Sequence, residues 1–135
     1  MTKKVPVSPN VNISEELVST CRLRFDDVAT APKFEFDKST LAAEDASVLE
    51  QIARCVTTGP LTGRSLDLVG RTDPRGTGDY NMALGARRAN SVGQVLLLLG
   101  VESRKMDIQT RGEGEATGTD TTGWQRDRRV DVLLR

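Results

Sequence analysis

The sequence predicts an α/β fold, an α+β sandwich of βαβαββ order with two main helices packed on a mixed four-stranded sheet. Three observations lead there. Apolar and polar residues alternate in short runs, which is the period of a strand. Two longer runs repeat their apolar residues at spacings of three and four, the period of a helix. The two kinds of run are interleaved, so helices connect strands and cover the sheet.

Taken in order, residues 1–20 are expected to be an N-terminal tail or linker, and residues 21–135 the folded domain. Pro6, Pro9 and two asparagines interrupt any periodicity at the start. Ser14 is a candidate cap for a short helix beginning at Glu15, and Pro32 breaks the chain again. Phe34-Glu35-Phe36 alternates and reads as the first strand. Ser39 or Thr40 is placed to cap the first main helix, whose apolar face is Val48, Leu49, Ile52, Cys55 and Val56. Gly59-Pro60 ends it. Residues 65–70 alternate as the second strand, and Asp73-Pro74-Arg75-Gly76 is a turn. A long helix runs from about Asp79 to Leu99 and stops at Gly100. A third strand lies near residues 105–110. The Gly- and Thr-rich stretch from Gly112 to Gly123 reads as a mobile loop, and residues 129–134 as the last strand.

Bulk composition narrows the function. A single domain accounts for 135 residues. Formal net charge is zero, so there is no basic surplus for a nucleic-acid partner. The chain has no histidine, which removes the commonest general base and the commonest metal ligand; no cofactor or metal is expected. No apolar run is long enough to cross a bilayer. The first five residues lack the apolar core of an export signal, which leaves open a cytoplasmic protein or an exported one whose signal has been removed. Cys21 and Cys55 are too few and too far apart for a CxxC or zinc motif. They read as a disulfide that would contribute about 3–4 kcal/mol by closing the intervening loop, or as two separate buried thiols.

One feature of the long helix breaks the pattern. At about 100° per residue, Asn81 and Arg88 fall on the same stripe as Leu84, Val92, Val95 and Leu99. A buried arginine needs a partner, because an unpaired buried charge costs several kcal/mol. The nearest candidate in topology is Asp73, delivered with Thr72 by the end of the second strand. Ligands in α/β folds bind at such strand ends, beside helix N-termini. An internal Asp73–Arg88 salt bridge that only fixes the turn accounts for the pattern as well.

The assembled residues resemble the OmpA-like C-terminal domain, a peptidoglycan-binding module also found in peptidoglycan-associated lipoproteins and flagellar stator proteins. They are Gly70-Arg71-Thr72-Asp73, Gly76, Tyr80-Asn81, Leu84-Gly85, Arg88-Ala89 and Val92, then Gly100-Val101, Arg104, Gly112-Glu113 or Gly114-Glu115, and Asp127-Arg128-Arg129-Val130. The resemblance covers about residues 34–135. It implies a non-catalytic domain that binds the diaminopimelate of the peptidoglycan stem peptide and anchors the outer membrane or an envelope complex to the wall. Asp73 would take the ammonium, Arg88 the carboxylate, and Asn81 would bond the same group, with Thr72 beside them and Arg128 lining the site. It also implies a periplasmic location, associated with the outer membrane, and other envelope proteins as possible partners. Arg71, Gly85 and Asp127 stand where the family has histidine, serine and asparagine. Arg71 and Asp127 could pair with each other, and Gly85 could allow a close backbone approach.

Three alternatives compete. A periplasmic adaptor that binds proteins and hardly touches the wall is one, and exposed apolar surface around residues 14–30 would favour it. An enzyme using Glu113, Glu115 and Asp120 is the second, but loop carboxylates are ordinarily just solvated. A flagellar stator is the third; it would carry a transmembrane helix, absent here unless it has been cut away. Trp124 could stack on a ligand or simply pack on the sheet edge.

Overall fold

A computed structural model describes residues 4–25, 34 and 38–135. Its elements are β1 (Lys4–Ser8), β2 (Val11–Ser14), α1 (Glu15–Cys21), α2 (Ala43–Thr57), β3 (Leu66–Arg71), α3 (Gly78–Leu98), a short 3-10 turn at Ser103–Lys105, β4 (Met106–Gly112), α4 (Thr121–Asp127) and β5 (Arg129–Leu134). The strands form one mixed sheet in the order β1-β2-β5-β3-β4. β3 is parallel to β4 and antiparallel to β5, while β2 is parallel to β5 and antiparallel to β1. The class is the mixed α and β architecture expected, with five strands in place of four.

The extra strands come from the segment expected to be a tail. Val5 and Val7, then Val11 and Ile13, alternate on two strands joined through Pro9-Asn10, and Val7, Val11 and Ile13 are buried. Pro6 had argued against a strand. It sits on β1, an edge of the sheet, where a missing N–H disturbs no ladder. Buried Asp45 near the start of α2 holds this hairpin in place. Its carboxylate accepts from the Ser8 hydroxyl at 2.6 Å, the Asn10 amide N–H at 2.9 Å and the Asn10 side chain at 2.7 Å. The strand expected at Phe34-Glu35-Phe36 is not found at Phe34, which is buried outside any element; its other two residues lie outside the described ones. The Gly-rich loop is also shorter than expected. Asp120 caps α4 by accepting from Gly123 N–H at 2.8 Å, and Asp127 accepts the N–H groups of Thr117 and Gly118 at 3.1 and 2.9 Å.

Leu49, Ile52, Leu66, Leu68, Val92, Leu96, Val130 and Val132 build the core between helices and sheet. A disulfide joins Cys21 of α1 to Cys55 of α2. The contact that positions the site is the crossing of α3 over β3. A Cβ on Gly70 would come within 1.7 Å of the Gly85 carbonyl oxygen, and one on Gly85 within 2.3 Å of Thr110 Oγ1. The two glycines let the helix backbone rest on the strand backbone. Arg88, about one turn further along α3, is thereby held against the C-terminal end of β3.

Candidate binding site

Five residues singled out by the sequence converge where β3 ends. Thr72 and Asp73 follow the strand directly, Asn81 and Arg88 come from the buried face of α3, and Arg128 lies between α4 and β5. All five are buried, Arg88 completely. An arginine can be buried so fully only if its donors and its flat faces are occupied. Arg88 Nε donates to the Lys38 carbonyl at 2.8 Å, its Nη1 donates to the Arg71 carbonyl at 3.1 Å, and its guanidinium lies 4.9 Å from the centre of the Phe34 ring.

Asp73 receives two guanidinium groups. Arg128 Nη1 donates to Oδ2 at 2.8 Å. Arg75 closes a small ring on the same carboxylate: its backbone N–H and Nε donate to Oδ1 at 3.0 and 3.2 Å, and Nη2 donates to Oδ2 at 2.8 Å. Among the described residues no ion pair joins Asp73 to Arg88, so the direct salt bridge weighed from the sequence is not formed. Arg128 links the two sides instead, because its Nε also donates to the Phe34 carbonyl at 2.7 Å, and Phe34 is the residue stacked on Arg88. Asn81 holds the turn between β3 and α3, its amide donating to the Arg75 carbonyl at 2.8 Å and to Glu113 Oε1 at 3.3 Å.

The electrostatics follow from this packing. Burial disfavours the charged form of Arg88 and the neighbouring Arg128 cation repels it; together they pull its pKa down to about 10, against a smaller opposing attraction from Asp73. Arg88 is still a cation at neutral pH. Burial resists ionisation of Asp73, but the hydrogen bonds from Arg75 and Arg128 outweigh it and hold the carboxyl below its ordinary range. The Thr72 hydroxyl, in the same place, is buried with no hydrogen-bond partner among the described residues. An unmet buried hydroxyl is uncommon and costs about 1–3 kcal/mol, which makes it a natural point of contact for something else.

Arg71 and Asp127 do not pair with each other. Arg71 Nε donates to buried Asp131 at 2.5 Å and its Nη1 to Glu115 at 3.0 Å, while Asp127 organises the loop before α4. The loop carboxylates considered as an acid–base set are spread over separate tasks: Glu113 faces Asn81, Glu115 faces Arg71 and Asp120 caps α4. Trp124 carries the Arg75 guanidinium 4.4 Å from its ring centre, which puts it at the edge of the site.

Sequence reasoning missed Arg75 and Phe34. Arg75 had a local signal, being two residues after an aspartate in a tight turn. Phe34 had none, since its role depends on Arg88 of α3 and Arg128, between α4 and β5, both reaching it.

The OmpA family model matches residues 33–130. Among sequences, the chain is 40% identical over 101 residues to the peptidoglycan-associated lipoprotein of Pseudomonas putida, a match covering 73% of this chain and 59% of that protein. It is 38% identical over 110 residues to outer membrane protein A of Bordetella avium, covering 75% and 52%. The matches thus span between half and three-fifths of these relatives. Among solved structures, the peptidoglycan-associated lipoprotein from Burkholderia pseudomallei superposes with a TM-score of 0.70 at 32% identity, over 81% of this chain and 95% of that one. The C-terminal domain of Helicobacter pylori MotB shares the fold, with a TM-score of 0.67 at 20% identity, over 76% of this chain and 81% of that one.

Proposed function

The chain belongs to the OmpA family, and from that premise we propose that it binds peptidoglycan without catalysis, gripping the diaminopimelate of the stem peptide at the end of β3. The observation that carries this reading is the buried group where β3 ends: the Asp73 carboxylate bonded to Arg128, Arg88 on the adjoining face of α3, and a Thr72 hydroxyl with no hydrogen-bond partner among the described residues. The free end of diaminopimelate is an amino acid, with a cation and an anion a few ångströms apart. Its carboxylate fits between Arg88 and Arg128, where it relieves the repulsion that depresses the Arg88 pKa. Its ammonium fits Asp73, with the Thr72 hydroxyl as a further partner. Asn81 fixes the turn that carries Asp73 and so presents it to the ligand.

The site is closed as it stands. Arg75 occupies Asp73 from the solvent side, and its side chain is 38% exposed. A ligand ammonium would displace that exposed arginine more readily than buried Arg128. On this reading the domain anchors an envelope complex to the wall from the periplasm, in association with the outer membrane. No helix among the described residues is long and apolar enough to cross a membrane.

The test is a titration with stem peptides that carry either diaminopimelate or lysine at the same position, followed at the amides of residues 70–90. The lysine stem keeps the ammonium and lacks the terminal carboxylate, so the charge-assisted bonds to Arg88 and Arg128 are not made, a loss of about 1.5–3 kcal/mol, roughly ten- to a hundred-fold in affinity. Equal affinity for the two overturns the clamp.

A further inference from the structure

The outer edge of β4 is not covered by any described element, and it is not built to repel a second strand. It is seven residues long and one of the two ends of the sheet. Beside it lies a row of exposed apolar side chains: Ile108 of β4 at 40%, with Met82 at 45% and Leu97 at 51% on α3. Edge strands that must stay single ordinarily carry charges that forbid pairing in any register. Here, among the residue-centred registers that pair at least three residues of β4, the charges disfavour all but one.

Two copies of an edge strand meeting about a two-fold axis run antiparallel, and facing residues then lie on the same side of the sheet. The pairing must therefore centre on a residue. Centring on Asp107 or Arg111 sets that charge against itself. Centring on Ile108 sets Lys105 against Arg111, and centring on Thr110 sets Asp107 against Glu113, each a like-charge pair. Centring on Gln109 sets Asp107 against Arg111 twice, and the next positions outward, Lys105 and Glu113, are again opposite in sign. The same register places Ile108 against Thr110 and Met106 against Gly112. Gly112 has no side chain, and Met82 borders it, since a Cβ there would lie 3.0 Å from the Met82 sulfur.

We propose that two copies of the chain join through β4 in antiparallel register centred on Gln109, making one ten-stranded sheet with the exposed Met82, Leu97 and Ile108 side chains between the two α3 helices. Asp107 now receives only Gln109 at 2.9 Å and a 3.6 Å contact from Arg135, and Arg111 makes no ion pair among the described residues, so both are available across the axis. The two wall-binding sites would lie toward opposite ends of the joined strands.

Sedimentation velocity over a concentration series tests this. The wild-type chain is expected to sediment as a dimer at the upper concentrations, Asp107→Arg as a monomer, and the reversed pair Asp107→Arg/Arg111→Asp as a dimer again. Gln109→Cys, on the axis, is expected to give a cross-linked dimer after mild oxidation. Circular dichroism checks that each variant is folded. A wild type that remains monomeric, an Asp107→Arg variant that remains dimeric, or a reversed pair that fails to recover the dimer while folded each overturns the proposal. None of these outcomes bears on diaminopimelate binding, which is read separately.

Discussion

Replacing Asp73 by asparagine tests how the site is held when empty. Asp73 is 2% exposed and its partner Arg128 is 9% exposed, so their 2.8 Å contact is a buried ion pair. Removing one partner of such a pair costs about 3–5 kcal/mol, because the other charge is left in a poor solvent. Two features reduce the loss. Arg128 keeps its 2.7 Å bond to the Phe34 carbonyl, and the asparagine oxygen still accepts one hydrogen bond. The contact with Arg75 is worth little, since that side chain is 38% exposed and screened. A net loss of about 2–3 kcal/mol remains. With an unfolding entropy of roughly 0.3 kcal/mol/K for a chain of this length, Tm should fall by about 7–10 °C. Thermal unfolding at pH 7 with the disulfide intact measures it, and Arg75→Ala is the control, with a shift of no more than about 3 °C. A fall in the Asp73→Asn variant no larger than that of the control would show that Asp73 does not hold Arg128, and the account of the empty site would fail.

The same geometry yields further expectations. If Arg75 competes with a ligand ammonium for Asp73, Arg75→Ala should tighten diaminopimelate binding by a few-fold, while Arg88→Ala should abolish co-sedimentation with sacculi; calorimetry and a pull-down read these. Gly85→Ala should destabilise by about 1–3 kcal/mol despite its better helix propensity, because the new methyl meets Thr110 Oγ1. Adding Thr110→Ala should recover part of that loss in a double-mutant cycle of chemical denaturation. Asp131 is fully buried; burial opposes its ionisation, but Arg129, Lys4 and Arg71 outweigh this and hold its carboxyl below the ordinary carboxylate range. Its folded-state pKa is depressed, so its stabilisation is complete above the unfolded value and is lost as pH falls from about 5 through that range. Urea midpoints between pH 7 and pH 2 should show the decline, and Asp131→Asn should flatten it.

The parts of the fold legible in the sequence are those whose signal is local. The long helix was readable because a helical repeat persists from Asn81 to Leu96 and a glycine follows; the structure ends it at Leu98, with Gly100 at φ 100°. β3 and β4 were readable in the sequence with ends shifted by a residue or two, and β5 at the bounds observed. The first hairpin was not. Its strands have five and four residues, and the propoline signal against a strand is suspended at a sheet edge, a position that no local pattern announces. Gly85 illustrates the other direction: as a helix residue it is only a cost of about 1 kcal/mol, and its use appears when Gly70 of β3 is brought beneath it.

The site divides along the same line. Arg88 stood out because a charge on an apolar helical stripe contradicts the pattern around it, and the contradiction points to burial whatever the partner. Which groups meet it is a different question, decided by where distant segments cross. Asp73 was the nearest anion by topology, but Arg75 and Arg128 reach its carboxylate, and Arg88 is held by two backbone carbonyls and an aromatic face. Carbonyl oxygens carry no residue identity, so no sequence pattern can name them as partners. Phe34 supplies both a ring to Arg88 and a carbonyl to Arg128, and Asn10 in the first hairpin accepts the Phe34 N–H at 2.5 Å. The segment that looked like a tail therefore supports the residue that joins the two arginines. Substituting Asn10 should loosen the site although Asn10 touches none of its charged groups.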